Sequence, residues 1–253
     1  PKPRAGPPQP LVERAQRPLD HGLGHAQRCG QLGVGDHARA REEAGLDRRN
    51  QELRRRGAIR RPLGLGLEPT HFPVGCARFI NRVRPLPNIF NTYNFGGLVI
   101  HALRDYPVFI DGRYWPYVKA GVFEEFKTAC SGPEPMREAL ERHKINVILF
   151  DVLPMRVRGA EVLDLADVLF PRDTWALVHF DNAGVVRVRR IPEHEAIIAA
   201  HEYRLLKPGL PGGWYLDHVT DPESRARLEA EVDRCLREEP DNVWCLEIGR
   251  AHV

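Results

Sequence analysis

Aromatic residues are missing from the first 71 positions of this 253-residue chain. All of its 10 Phe, 6 Tyr and 4 Trp lie at or after Phe72. At the density of the remainder, ~8 would stand in a segment of that length, so residues 1–71 do not share one globular composition with the rest. β-Branched residues are nearly absent there too. No apolar period is sustained, apart from a short helical pattern at Ala38–Arg56. Such a segment cannot bury enough apolar surface to offset its ordering entropy. Three readings stay open for it: a disordered basic arm, a linker, or GC-rich DNA translated out of frame. Lysine is scarce as well, at 5 of 37 basic residues, which fits a GC-rich coding sequence. No run of about 18 apolar residues exists, so no membrane-spanning helix is expected. The first residues carry no apolar h-region, so no signal peptide is expected in them. The five cysteines, Cys29, Cys76, Cys130, Cys235 and Cys245, form no Cys-x-x-Cys. Their odd number argues against a complete disulfide framework and leaves the compartment open.

Charge divides at the same place. Residues 1–71 carry 14 Lys+Arg against 8 Asp+Glu, and residues 72–253 carry 23 against 26. The pI of 8.7 thus belongs to the first segment, and no nucleic-acid partner is expected.

From Phe72 onward the pattern is orderly. Helices are expected at Val74–Val83, Phe95–Leu103, Tyr114–Ala129, Glu134–His143, Ala160–Leu169, Pro192–Leu206 and Glu223–Glu238. Strands are expected at Ile89–Tyr93, Val108–Asp111 and Asn146–Asp151. Thr174–Asp181 and Val185–Arg190 flank Asn182-Ala183-Gly184 as a hairpin. The fold class is therefore α/β: a three-layer mixed sheet, mainly of parallel helix-linked strands, with a C-terminal antiparallel hairpin at its edge. The α/β domain is bounded at 72–209. Residues 210–246 read as a linker and the start of a truncated helical repeat. Residues 247–253 read as the translation of a sequencing-library adapter, an artefactual tail expected to contribute nothing to the fold.

Two polar clusters make the candidate site. Asn91, Tyr93, Asn94, Gly96 and Gly97 stand where the first strand breaks into a helix. Asp111, Gly112 and Arg113 stand at the end of the second. Strand ends in an open α/β sheet share one crevice, where such folds bind ligands. The residues serve either as helix caps and an internal Asp–Arg pair or as contacts to a polar ligand. If they bind, a helix N-terminus and Arg113 favour a phosphate, a carboxylate or sugar hydroxyls. Tyr114, Trp115 and Tyr117 are core or pocket rim. Gly33-Val-Gly-Asp-His-Ala38 lacks the strand a dinucleotide site requires. His21 with His25, and His194 with His201, lack a third metal ligand. With no nucleophile elbow, P-loop or zinc motif, no catalytic residue, metal or cofactor is expected.

Phe72-Pro73, Ile89-Phe-Asn-Thr-Tyr-Asn-Phe-Gly-Gly97, Tyr106-Pro-Val-Phe-Ile-Asp-Gly-Arg113 and Asn146-Val-Ile-Leu-Phe150 carry a resemblance. Phe72 to about Gly209 resembles the soluble C-terminal domain of bacterial polytopic membrane proteins related to C-type, lipid-phosphate-sugar-dependent glycosyltransferases. Tetratricopeptide repeats often follow that domain, and Ala230–Asn242 resembles the second helix and turn of one repeat. A more distant likeness is to the soluble domain of the oligosaccharyltransferase catalytic subunit. Its acceptor-site turn corresponds to Asn91–Gly96, with Asn94 in place of an Asp. The resemblance implies a non-catalytic extracytoplasmic domain at the bacterial inner membrane that helps bind acceptor or glycan, with a lipid-linked sugar and repeat-bound proteins as partners. The alternative is a scaffold module joining a membrane anchor to a tetratricopeptide array.

Overall fold

The computed structural model describes Glu68 and residues 70–153, 155–158 and 161–251. The helical pattern at Ala38–Arg56, the Gly33–Ala38 motif and the His21/His25 pair lie outside the described residues. Helix α1, Val74–Val83, buries Cys76, Ala77, Phe79 and Ile80 on one face. Pro73 at its N-cap offers no side-chain acceptor, so Asp181 Oδ2 takes the Cys76 N–H instead, at 3.1 Å. Arg84 ends the helix in a left-handed conformation, just ahead of Pro85.

Strand β1, Ile89–Asn91, pairs in parallel with β2, Val147–Asp151. Between them run α2 (Gly96–Ala102), α3 (Trp115–Lys119), α4 (Val122–Ala129) and α5 (Pro133–Arg142). A short antiparallel pair follows, β3 at Arg156–Arg158 and β4 at Glu161–Leu163. Then come α6 (Leu165–Leu169), β5 (Trp175–Phe180), β6 (Gly184–Arg189), α7 (Glu195–His201), α8 (Gly212–His218), α9 (Pro222–Glu238) and α10 (Val243–Ala251). The main sheet has four strands in the order β1-β2-β6-β5, and β6 is antiparallel to both neighbours. The chain is thus α/β with a mixed sheet.

Several expectations need correction. Val108–Asp111 is not a strand. The Phe109 N–H and the Ile110 carbonyl, which a ladder would use, are taken by the side-chain amide of Asn91. Only the β1–β2 ladder is parallel, so the sheet is not mainly parallel. In the hairpin β6 is interior and only β5 lies at the edge. The helix expected over Tyr114–Ala129 is split at Gly121, whose φ of 75° ends one helix and opens the next. Glu161–Leu163 pairs as a strand, leaving only Leu165–Leu169 helical, capped by the Asp164 carboxylate. The helix after Pro192 stops at His201.

Side chains alternate across the sheet. Val147, Leu149, Ala176, Val178, Val186 and Val188 join α1 and α2 in one apolar cluster. Ile148, Phe150, Trp175, Leu177, Phe180 and Val185 join α5 and the C-terminal helices in another. That second cluster continues through Tyr215, Leu228, Val232, Cys235, Cys245 and Ile248, with no break at residue 209. Residues 68–251 belong to one compact unit. Part of the tail expected to contribute nothing is packed: Ile248 is buried, and Glu247 backbone lies against Gly212. The periodicity of α9 pointed to a half-buried helix but could not show which core it faces. Its Glu231 carboxylate accepts the backbone N–H groups of Arg204, Leu205 and Leu206, fastening α9 to the loop after α7.

Candidate functional site

The site grows from the end of β1. Asn91 is fully buried, and both ends of its amide are used inside the fold. Its Nδ2 donates to Ile110 O at 2.7 Å and to Thr92 O at 2.8 Å, and its Oδ1 accepts from Phe109 N at 3.0 Å. Asn91 therefore holds the 109–111 segment in place and has no group free for a ligand. A 3-10 turn, Tyr93–Phe95, leads into α2. A Cβ on Gly96 would lie 2.2 Å from Ile110 O and 2.4 Å from the Asp111 Cβ. Glycine at 96 is what lets the helix start cross the Ile110–Asp111 backbone. The Ile110–Asp111 backbone thus lies against the start of α2, where an anion was expected. Gly97 and Asn94 are exposed, and nothing lies near a Cβ built on Gly97.

The second cluster is brought against the first, but by these contacts and not by strand pairing. Tyr93 donates its hydroxyl to Gly112 O at 3.2 Å. Asp111 is buried, and its carboxylate is enclosed by donors. Oδ1 accepts the Arg113 backbone N–H and Nε, both at 2.9 Å. Oδ2 accepts Arg113 Nη2 and the Tyr117 hydroxyl, each at 2.5 Å. The hydrogen bond from Arg113 is the main reason its pKa falls to about 2; burial opposes this, and the Tyr117 bond adds to it. Asp111 is therefore ionised at neutral pH. The same contacts raise the Arg113 guanidinium further, and burial raises the Tyr117 phenol. The Arg113 side chain nevertheless remains 65% exposed. Nε and Nη2 serve Asp111 and Nη2 also reaches Tyr117, which leaves Nη1 uncommitted among the described residues.

Tyr114 carries the strain. Its φ of 55° and ψ of −68°, with a 2.7 Å bond from Trp115 N to Arg113 O, make the rare positive-φ form of the γ-turn. A non-glycine residue held there costs about 1–3 kcal/mol, and such outliers cluster at functional sites. The turn presents Tyr114 at 40% exposure and Trp115 at 67%. Their rings meet edge to face at 5.5 Å, and Tyr114 also packs edge-on to Phe123 at 5.0 Å. Trp115 and Tyr114 are therefore surface residues, not core. Sequence spacing placed them on a helix but could not show that within α3 only Tyr117 and Val118 turn partly inward.

One residue at the sheet edge was not singled out from sequence. The parallel neighbour of β1 is β2, so the strand end beside Asn91 is Asp151. Burial raises its pKa, and the nearby Thr92 works against that. The Thr92 hydroxyl itself is buried and makes no hydrogen bond of good geometry. The Cys130 thiol is pushed up to about 12 by burial and by the Asp151 charge, so it is not an activated nucleophile. Only the strand pairing, which sequence does not display, marks Asp151.

A second ionic cluster lies under the sheet. Asp167 accepts from Arg187 at 2.6 Å, Arg172 at 2.9 Å and Lys207 at 2.8 Å. Arg187 and Arg172 also donate to the carbonyls of Phe170, Tyr203, Arg204 and Leu206. These contacts tie β6, α6 and the 203–207 loop together, which is structural work. Arg187 is thereby buried despite its charge. His194 is buried and bonded to Leu86 N and Arg189 O, while His201 lies beside Phe79, so the two are not a pair. No group of three or more metal-ligand side chains is arranged for an ion among the described residues. No described helix is long and apolar enough to cross a membrane.

Comparison of the chain with protein-family models, with characterised proteins and with solved structures returned no match.

Proposed function

We propose that this domain is a non-catalytic saccharide-binding module, contributing acceptor or glycan binding to a membrane glycosyltransferase-like protein. The observation that carries the reading is the strained turn at Tyr114, which exposes two aromatic rings beside a fixed Asp–Arg–Tyr cluster. A sugar ring has an apolar C–H face and a polar rim. The Trp115 or Tyr114 face suits the first, and Arg113, Asn94 and the Gly112 backbone suit the second. Because the charge of Arg113 is matched by ionised Asp111, a neutral saccharide fits better than a phosphate or carboxylate. The Asp111 carboxylate is occupied by Arg113 and Tyr117 and the Cys130 thiol is not activated, which supports a binding role for this cluster. The resemblance adds the setting: a bacterial inner-membrane parent, with this domain on the extracytoplasmic side and a lipid-linked sugar nearby. The three-layer reading of the sheet belongs to the same proposal, and the two apolar clusters support it.

The scaffold reading has its own support. Helices α8–α10 continue the core without a break, as a rigid join to further tetratricopeptide repeats requires.

Titration of the full chain with a panel of neutral oligosaccharides, followed by isothermal calorimetry so that the readout does not depend on Trp115, separates the two readings. Saturable binding, lost in Trp115→Ala with an unchanged melting midpoint, is the expected result; Arg113→Ala should lose binding and some stability together, because it strips the buried Asp111 carboxylate of its partner. No binding of any saccharide by the folded parent chain would overturn the binding role and leave the scaffold.

A further inference from the structure

The sheet carries a β-bulge whose placement has a consequence. In the β5–β6 ladder Leu177 pairs with Arg187, yet His179, not Val178, pairs with Val186. Simple alternation from Leu177 would send His179 toward the α9 side of the sheet. The extra residue at Val178 turns His179 to the α1 side and returns Phe180 to the other. Phe180 duly packs in the cluster with Val185, while His179 stacks on Phe79 of α1 at 4.6 Å and 10°.

There His179 meets the last turn of α9. Its Nδ1 lies 3.1 Å from Glu238 Oε2, and its Nε2 lies 3.5 Å from Glu239 Oε1. The imidazole is 3% exposed and the two carboxylates 19% and 18%. Every packed element adds charge to this seam. Helix α1 brings Arg78 to Glu239 at 3.4 Å and Arg82 to Glu238 at 3.2 Å. Both arginines are more than half exposed, so they are screened and count for less. Helix α7 brings His201, 3.8 Å from Glu238 Oε1. The residue after β5, Asp181, faces this seam and accepts the backbone N–H of the buried Cys76 of α1. Helix α9 brings Arg234, which donates to Ala200 O and Glu202 O. A cleft of about 400 Å³ opens between these parts, lined by His179, Glu238, Glu239, Arg78, Arg82 and Phe79. Glu239 presses close to α1: a Cβ on Gly75 would lie 2.3 Å from its Oε1.

We propose that His179 is a pH-responsive latch: as imidazolium it holds the last turn of α9 against the sheet, and losing its proton frees that turn. Two adjacent carboxylates need a buried cation between them and Asp181, and His179 is the one so placed. Deprotonation leaves like charges facing one another across the cleft, which the exposed arginines compensate only partly. Burial pushes the pKa of His179 down, and the Glu238 and Glu239 carboxylates together outweigh it, so the net shift is upward. Its contribution to holding the turn is thus complete below the ordinary histidine value and is lost as pH rises through the raised one. Glu238 is lowered by its bond to His179, so the latch also fails as pH falls through that lowered value. It is closed in the window between. The neighbouring link survives opening, because Asn182 binds Asp241 O and Val243 N without any titrating group.

Hydrogen exchange of the full chain over a pH series tests this, after correction for the intrinsic pH dependence of exchange. Protection of residues 234–239 should fall as pH rises from the ordinary histidine value to the raised one, about tenfold in all for each unit separating the two, and then level off. Protection in the first turns of α9 should stay level. His179→Gln should show low protection of that turn at every pH. Should that variant fail to fold, Glu238→Gln should lower the His179 titration midpoint, read by NMR, and move the loss of protection to lower pH with it. A His179 that titrates at or below an ordinary histidine would overturn the proposal. So would a pH-dependent loss that persists unshifted in either variant.

Discussion

Asn91→Ala removes the one side chain that stands in for a missing strand. Two backbone groups lose their partners: Phe109 N–H, at 3.0 Å from Oδ1, and Ile110 C=O, at 2.7 Å from Nδ2. Ile110 is fully buried and Phe109 partly so. An unsatisfied buried group costs about 1–3 kcal/mol, and water reaching the Phe109 side would lower its share. The small void left by the amide adds to this. The sum is about 3–4 kcal/mol, or a drop of roughly 6–16 °C in melting midpoint for a unit of this size. Asn91→Asp isolates one half of the effect. It keeps an acceptor for Phe109 but sets a carboxylate oxygen against the Ile110 carbonyl, so it should destabilise at neutral pH and recover in acid. Urea and thermal unfolding of the full chain measure both. A loss below about 1 kcal/mol for Asn91→Ala, with saccharide binding abolished, would show that Asn91 serves a ligand and would refute the structural role.

Two further outcomes follow from the same contacts. Asp111, with its pKa lowered to about 2, contributes stability that is present above its unfolded value and lost as pH falls through about 2. Asp111→Asn should flatten that acid limb, and equal acid unfolding of parent and variant would remove Asp111 as its cause. Ile248→Ala should cost about 2–4 kcal/mol, because the side chain is buried in the main core. A melting midpoint unchanged by this substitution would show that residues 247–253 are dispensable after all.

Much of the order of elements was legible. Val147–Asp151 is a run of buried strand residues, and its apolar composition announced it. The 182–184 turn did the same for the hairpin, and the Pro222 start and Glu238 end of α9 stand within one residue of expectation. Val108–Asp111 misled because its composition suits a buried strand. The segment is buried as expected, but against the start of α2 and the amide of Asn91. The candidate site divided along the same line. Asp111 and Arg113 did pair, as the Asp-x-Arg spacing allowed, whereas the exposure of Tyr114 and Trp115 depends on a backbone angle that composition does not record.

Local chemistry, read from sequence alone, thus determined where chain direction changes and which residues must be buried, because apolar period, proline and turn residues act within a few positions. Partners were another matter. That β2 rather than 108–111 lies beside β1, that α9 and α10 complete the same core, and that a bulge turns His179 toward Glu238 were decided only in the tertiary structure. Each depends on which distant backbone groups satisfy one another's hydrogen bonds, and that choice is made among many sequence-compatible pairings by the packing of the whole.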